Sequence, residues 1–339
     1  MKRKEFFRKS VSLLTGSLAL RLPIHTAGDG DSPILPPRLQ PGDSIGLVAP
    51  AGIIFDETEF KRMKQILEKM GLRVVFGRYI RNRHGYFAGT DQERSEDLNR
   101  FITDPGIRAI MAVRGGWGCN RILDKIHYNQ LRDTPKIICG FSDITALHLA
   151  IFSQTGLTTF HGPNGNSDWT RFTRSRFAEI LFSEKRKPLL KNPSEHRTAI
   201  RTIVPGKVSG RLIGGNLTLV TSLVGSHYMP EMEGAILFLE DVGEDIYRID
   251  RMFSQLQLSG VLDRISGVVF GNCTDCRLSP GGSLSLTEVL SHYLVDRKIP
   301  AFTGSVIGHG PDNFTIPIGV KAEMDASSGT IRLLEPAVA

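Results

Sequence analysis

The residues Arg114-Gly115-Gly116-Trp117-Gly118-Cys119-Asn120-Arg121 lie directly between an apolar run and a helix-spaced pattern. Glycines at such a junction permit a tight turn, and the first helical turn brings backbone N–H groups without partners inside the helix. A thiol placed there ionises more readily and, where solvent reaches it, acts as a nucleophile, while neighbouring amides receive a developing oxyanion. The spacing Gly116-x-Gly118-Cys119 resembles a nucleophile elbow with Cys in place of Ser, with Gly116 and Asn120 as the oxyanion-binding amides. A phosphate-cradling loop or a plain tight turn would use the same glycines.

Two later segments hold the groups a nucleophile needs. Glu240, in Phe238-Leu239-Glu240-Asp241, stands at the carboxyl end of an apolar run, where sites on α/β sheets collect. His309, in Gly308-His309-Gly310, follows a second apolar run from Phe302 to Ile307. Taken singly, Glu240 reads as a capping or surface acid and His309 as a loop histidine. Together with Cys119 they form a set of nucleophile, base and base-orienting carboxylate. Cys139 falls in an apolar strand pattern. Cys273-Thr-Asp-Cys276 has a metal or redox spacing, but with no second pair it offers zinc two ligands, and it reads as two loop thiols open to bridging after export. No metal or cofactor is assigned.

Alternating strands and helices must position these groups. Ser44 to Ala49 is an apolar run followed by Phe60, Met63, Ile66, Leu67 and Met70 at helical spacing. Leu72 to Phe76 is the next strand, Thr90-Asp-Gln-Glu93 is a capping box opening a helix to about Phe101, and Arg108 to Val113 is a strand. Lys136 to Phe141 is another, with Ser142-Asp143 as the cap of the helix that follows. Repeated β-α units imply an α/β fold: an N-terminal Rossmann-like parallel-sheet domain, residues 28–167, plus a smaller C-terminal α/β domain, residues 207–339. Residues 168–206, rich in Arg, Lys, Ser, Thr and Pro, read as an interdomain linker.

The formal charge of +7 suggests a polyanion partner until it is divided. Lys2, Arg3, Lys4, Arg8, Lys9 and Arg21 against Glu5 place +5 in the first 21 residues, and the remaining 36 basic and 34 acidic residues leave +2. That balance excludes a phosphate-backbone footprint, so no nucleic acid is expected. Residues 1–27 read as an export signal: a charged stretch precedes the weakly apolar run from Val11 to Leu20, which is too short to span a bilayer. Arg3-Lys4-Glu5-Phe6-Phe7-Arg8-Lys9 resembles a twin-arginine signal with Lys for the second Arg. A periplasmic or exported protein without membrane insertion of its mature chain is expected; the poor cleavage site, with His25 two before Ala27, keeps a cytoplasmic alternative.

The motifs together resemble the L,D-carboxypeptidase family of serine peptidases, which includes murein tetrapeptide carboxypeptidases and microcin C7 self-immunity peptidases. The matching stretches are Gly42 to Ala51, Phe87-Ala88-Gly89-Thr90, Arg114 to Gly118, Gly140-Phe141-Ser142-Asp143-Ile144-Thr145 and Phe160-His161-Gly162-Pro163. They continue with Gly214-Gly215-Asn216-Leu217, Leu239-Glu240-Asp241, Ile249-Asp250-Arg251-Met252, Gly308-His309 and Ile316-Pro317-Ile318-Gly319. The resemblance implies metal-free hydrolysis of the amide between an L-configured centre and a terminal D-residue by a Ser-His-Glu triad, on a murein-derived peptide. Carried onto this chain, His309 is the base, Glu240 orients it, and Cys119 replaces the serine. Arg114, Trp117 and Asn216 are the substrate-binding candidates. An amidase of a modified peptide or peptidyl-nucleotide, and a non-hydrolytic murein-peptide binder, are the alternatives; a homodimer is left open.

Overall fold

Helix boundaries follow from side chains that occupy orphan backbone groups. In the computed structural model, which describes residues 32–183, 188–278 and 282–339, Asp56 accepts the Thr58 N–H at 2.8 Å to open α1 (Glu57–Lys69). Thr90 and Glu93 close the expected capping box at the start of α2 (Asp91–Thr103). Phe60, Met63 and Leu67 bury the inner face of α1 against the sheet. The export segment at residues 1–27 lies outside the described residues.

The apolar runs become strands β1 (Ser44–Val48), β2 (Arg73–Phe76), β3 (Ala109–Ala112), β4 (Ile137–Gly140) and β5 (Phe160–His161). Between them lie the two helices above, then α3 (Tyr128–Asp133) and α4 (Thr145–Thr155). Strands β3 and β4 are buried on both faces, as a sheet covered by helices requires. All these pairings are parallel, so the loops after β1, β3 and β4 leave from one edge.

The described part of residues 168–206 is not a linker. It forms α5 (Arg171–Leu181), β6 (Leu189–Lys191) and β7 (Arg201–Val204). Phe177, Ile180 and Leu181 are buried while Arg171 and Arg174 are exposed, so the cations that looked like linker charge are the solvent face of a packed helix. The chain continues as β8 (Lys207–Asn216), α6 (Leu217–Ser222), β9 (Ile236–Val242), α7 (Ile246–Leu258), β10 (Gly267–Thr274), α8 (Leu286–Leu294) and β11 (Ala301–Thr303). It ends with β12 (Ile316–Pro317), β13 (Lys321–Asp325) and β14 (Thr330–Leu333).

The first sheet has the order β12-β5-β4-β3-β1-β2 and the second β6-β14-β13-β8-β9-β10-β11-β7. Strand β12 crosses from the C-terminal part of the chain into the first sheet, antiparallel to β5, so the two units are interleaved. In the second sheet β8, β9, β10 and β11 are parallel, and their carboxyl ends converge. The units meet where Thr145, at the start of α4, accepts the Asn216 N–H at 3.0 Å. Gly215 (φ +141°) permits this approach, because a Cβ there would lie 2.4 Å from Thr145 Oγ1. Among the described residues no helix is long and apolar enough to cross a membrane.

Two fully buried histidines couple this core to pH. His148 Nε2 meets the Gly140 carbonyl at 2.8 Å, and His161 packs edge-on to Phe238. Burial holds His148 down to about 4 and His161 well below its ordinary value. Both are therefore neutral in the fold but protonated in the unfolded chain below about pH 6.5. Their stabilising contribution is complete above that pH and is lost as pH falls towards 4, His148 alone accounting for about 2 kcal/mol between pH 6.5 and 5. Urea unfolding at pH 7 and pH 5 should show a smaller acid loss for His148→Gln than for the parent; equal losses would refute this origin.

Candidate active site

At the end of β4 the chain turns from strand to helix through Phe141, Ser142 and Asp143. Ser142 has φ +66°, a left-handed backbone that a non-glycine residue adopts only where the surroundings impose it. This is the strained strand–turn–helix geometry that lifts a nucleophile above a parallel sheet. Gly115 lies against it: a Cβ on Gly115 would sit 2.6 Å from Ser142 Cβ and 2.8 Å from Ser142 Oγ. Gly115 and the amide of Asp143, the residue after Ser142, therefore border the Ser142 side chain.

The second sheet delivers the base. Asn216 at the end of β8 is in register with Glu240 on β9. Glu240 is fully buried, and its Oε2 lies 2.7 Å from Nδ1 of His309, whose side chain remains 21% exposed. Gly308 (φ +99°) makes room for the pair, since a Cβ there would lie 2.2 Å from Glu240 Oε2. Phe141, next to Ser142, packs its ring 4.8 Å from that of His309. With Nδ1 taken by Glu240, Nε2 is the nitrogen left for proton transfer. Burial pushes the Glu240 carboxyl above its ordinary value, and the hydrogen bond and charge of His309 pull it part of the way back.

The structure does not present Cys119 as an accessible thiol. Its side chain is fully buried, and its N–H donates to Asp143 Oδ2 at 2.8 Å. Burial drives the thiol well above its ordinary value, and the neighbouring Asp143 carboxylate adds to this, so thiolate character is suppressed where the elbow reading needed it raised. The physical reason is what covers the turn: Arg94, itself buried, donates to the carbonyls of Gly118 and Pro50, and Phe87 lies over Gly118. Asp143, expected as a helix cap, instead ties the Cys119 turn to the Ser142 turn; no side chain caps α4. Iodoacetamide should accordingly leave Cys119 and Cys139 unmodified in the native protein; labelling of Cys119 on the timescale of an exposed thiol would contradict this burial.

The other candidates separate. Gly116 lies against Gly52, where a Cβ would sit 3.2 Å from the Gly52 Cα, and the Asn120 side chain points to α6, its Nδ2 donating to Ser222 Oγ at 3.0 Å. Arg114 donates to the Ile53 carbonyl at 3.0 Å and so braces the Gly115-Gly116 turn. Trp117 is 43% exposed. Asn216 is buried and its side chain bridges Asp241 Oδ1 (3.0 Å) and the Leu219 N–H (3.2 Å). Ser142 is a candidate nucleophile that the Cys119 motif overshadows, and its signal is local: Gly140-x-Ser142 directly after an apolar strand. Among the described residues no three His, Cys, Asp or Glu side chains gather as a metal site.

Residues 45–162 match the LD-carboxypeptidase N-terminal domain and residues 209–324 the LD-carboxypeptidase C-terminal domain. The chain belongs to the LD-carboxypeptidase family. A probable murein peptide carboxypeptidase of Bacillus subtilis is 38% identical over 303 residues, covering 87% of this chain and 92% of that protein. The microcin C7 self-immunity protein MccF, known from Escherichia coli, superposes with a TM-score of 0.84 at 30% identity over 91% of this chain and 100% of that one, in a structure with glutamyl sulfamoyl guanosine. A muramoyltetrapeptide carboxypeptidase from Oxalobacter formigenes gives a TM-score of 0.74 at 31% identity over 86% of this chain and 97% of that one. The two-unit α/β architecture and carboxypeptidase kinship expected from the motifs are those of this family.

Proposed function

We propose that this protein is a serine L,D-carboxypeptidase that removes the terminal D-Ala from murein tetrapeptides through Ser142, His309 and Glu240. The observation that carries the reading is the Glu240–His309 pair, 2.7 Å apart, whose imidazole packs 4.8 Å from the ring of Phe141, the neighbour of the left-handed Ser142. Ser142 Oγ attacks the scissile carbonyl while His309 Nε2 takes its proton, and the oxyanion forms against the amides of Asp143 and of Gly115 or Gly116. Glu240 holds the imidazole by Nδ1 and stabilises its charged form. His309 then protonates the departing D-Ala amine, leaving an ester on Ser142, and next activates the water that hydrolyses it.

The test is mass spectrometry of L-Ala-γ-D-Glu-meso-diaminopimelate-D-Ala incubated with the protein and with its His309→Ala variant. Loss of D-Ala with the parent and not with the variant is expected; unchanged peptide in the parent reaction would defeat the reading. A second reading, hydrolysis of a peptidyl-nucleotide, is favoured by the likeness to MccF. Under it, an aminoacyl sulfamoyl nucleoside would be cleaved in preference to the tetrapeptide. A non-hydrolytic binder is the less supported reading, since Ser142 offers a serine on a strained strand-to-helix turn. Export by residues 1–27 remains part of the proposal and would place the substrate outside the inner membrane.

A further inference from the structure

The loop that carries His309 is laid along the end of β10. The Asn272 N–H donates to the Ile307 carbonyl at 2.9 Å, and Thr274 Oγ1 donates to the carbonyl of His309 itself at 3.0 Å. Thr274 is gripped in turn: its carbonyl accepts the Gly243 N–H at 2.8 Å, and it is in register with Val242, two residues beyond Glu240. Thr274 thus touches the backbone of the base on one side and the strand of the base-orienting carboxylate on the other. It is enclosed by a covalent clip, the Cys273–Cys276 disulfide, which spans only Thr274 and Asp275. Asp275 has φ +54°, a left-handed backbone that Asp adopts more readily than most residues, and the two-residue clip encloses it. Both half-cystines are only partly buried, so a small reductant reaches them.

We propose that Thr274 is a positioning residue for His309 and that the Cys273–Cys276 disulfide makes its hold redox-dependent, so that reduction slows the reaction at Ser142. The inference rests on the reading of His309 as the base for Ser142. A dithiol such as dithiothreitol supplies two electrons and two protons: the Cys273–Cys276 bond breaks, two thiols form, and the dithiol closes to its own disulfide. Asp275 is then free to leave its left-handed conformation, and Thr274 Oγ1 loses its fixed place under the His309 carbonyl. Displacement of a base by a fraction of an ångström lowers turnover without removing substrate contacts. Cys119 and Cys139 are fully buried, which confines the effect of a mild reductant to the clip.

The experiment measures covalent labelling of Ser142 by a fluorophosphonate, a reaction that needs the base but no peptide, alongside kcat and KM for D-Ala release. The full-length protein is compared oxidised and after dithiothreitol, with Thr274→Val, Thr274→Ser and the double variant Cys273→Ser/Cys276→Ser. Reduction, Thr274→Val and the double variant should each slow labelling and kcat about tenfold with KM changed less than about twofold, while Thr274→Ser keeps the parent rate. Reoxidation should restore the reduced parent, and dithiothreitol should not affect the double variant. Equal rates for oxidised and reduced parent would overturn the proposal, as would a reductant effect that persists in the double variant. If Ser142 in the oxidised parent is not labelled, or is labelled equally in His309→Ala, the site reading itself falls and the clip proposal with it; normal labelling that is lost in His309→Ala but indifferent to the clip defeats the clip alone.

Discussion

Ser142→Ala is expected to lower kcat/KM for D-Ala release by at least about 10⁴-fold, whereas Cys119→Ala should stay within about tenfold of the parent. The contrast follows from where the two side chains sit. Ser142 stands on a strained turn bordered by the Gly115 and Asp143 amides and adjoining the His309 ring through Phe141. Cys119 has no accessible surface and lies beneath Arg94, Phe87 and Asp143. Truncating it removes one buried sulfur and should cost about 1 to 2 kcal/mol of stability as a small cavity, read as a drop in Tm rather than in kcat. The reverse pattern, with activity surviving in Ser142→Ala and lost in a folded Cys119→Ala, would return the nucleophile to the thiol.

Glu240→Gln should reduce kcat about 10³- to 10⁴-fold while leaving thermal stability equal to or above that of the parent. An amide in place of the carboxylate no longer favours the imidazolium or fixes the proton on His309 Nδ1. It also relieves the burial of a charge, since desolvation is the leading cause that pushes Glu240 up. Gly308→Ala approaches the same outcome by another route: a Cβ 2.2 Å from Glu240 Oε2, on a backbone at φ +99°, displaces the pair and should lower both kcat and Tm. Steady-state kinetics with calorimetry on the two variants separates these effects. A Glu240→Gln enzyme of parental kcat would show that His309 needs no oriented partner.

The parts of the protein that were legible before folding are those written in local chemistry. Apolar runs closed by helix-spaced residues identified β1, β3 and β4, and the Thr90–Glu93 pair marked the start of α2, because a cap is satisfied within four residues. The ends of buried strands marked Glu240, and the loop after β11 marked His309. The charged stretch at residues 168–206 misled because exposed cations look alike on a linker and on the outer face of α5; only the burial of Phe177, Ile180 and Leu181 distinguishes them.

The elbow was the harder choice, since two strand-to-helix turns, at residues 114–119 and 140–143, carry glycine and a nucleophilic side chain. Local pattern made Cys119 the stronger candidate. Which turn opens to substrate depends on groups distant in the chain: Arg94 and Phe87 cover Cys119, while Gly115 makes room beside Ser142. The amino-acid order therefore determined most of the strands and helices and singled out Glu240 and His309. Only the tertiary structure separates Ser142 from Cys119 as the candidate nucleophile, because solvent access and backbone strain arise from packing between segments and are properties of no single segment.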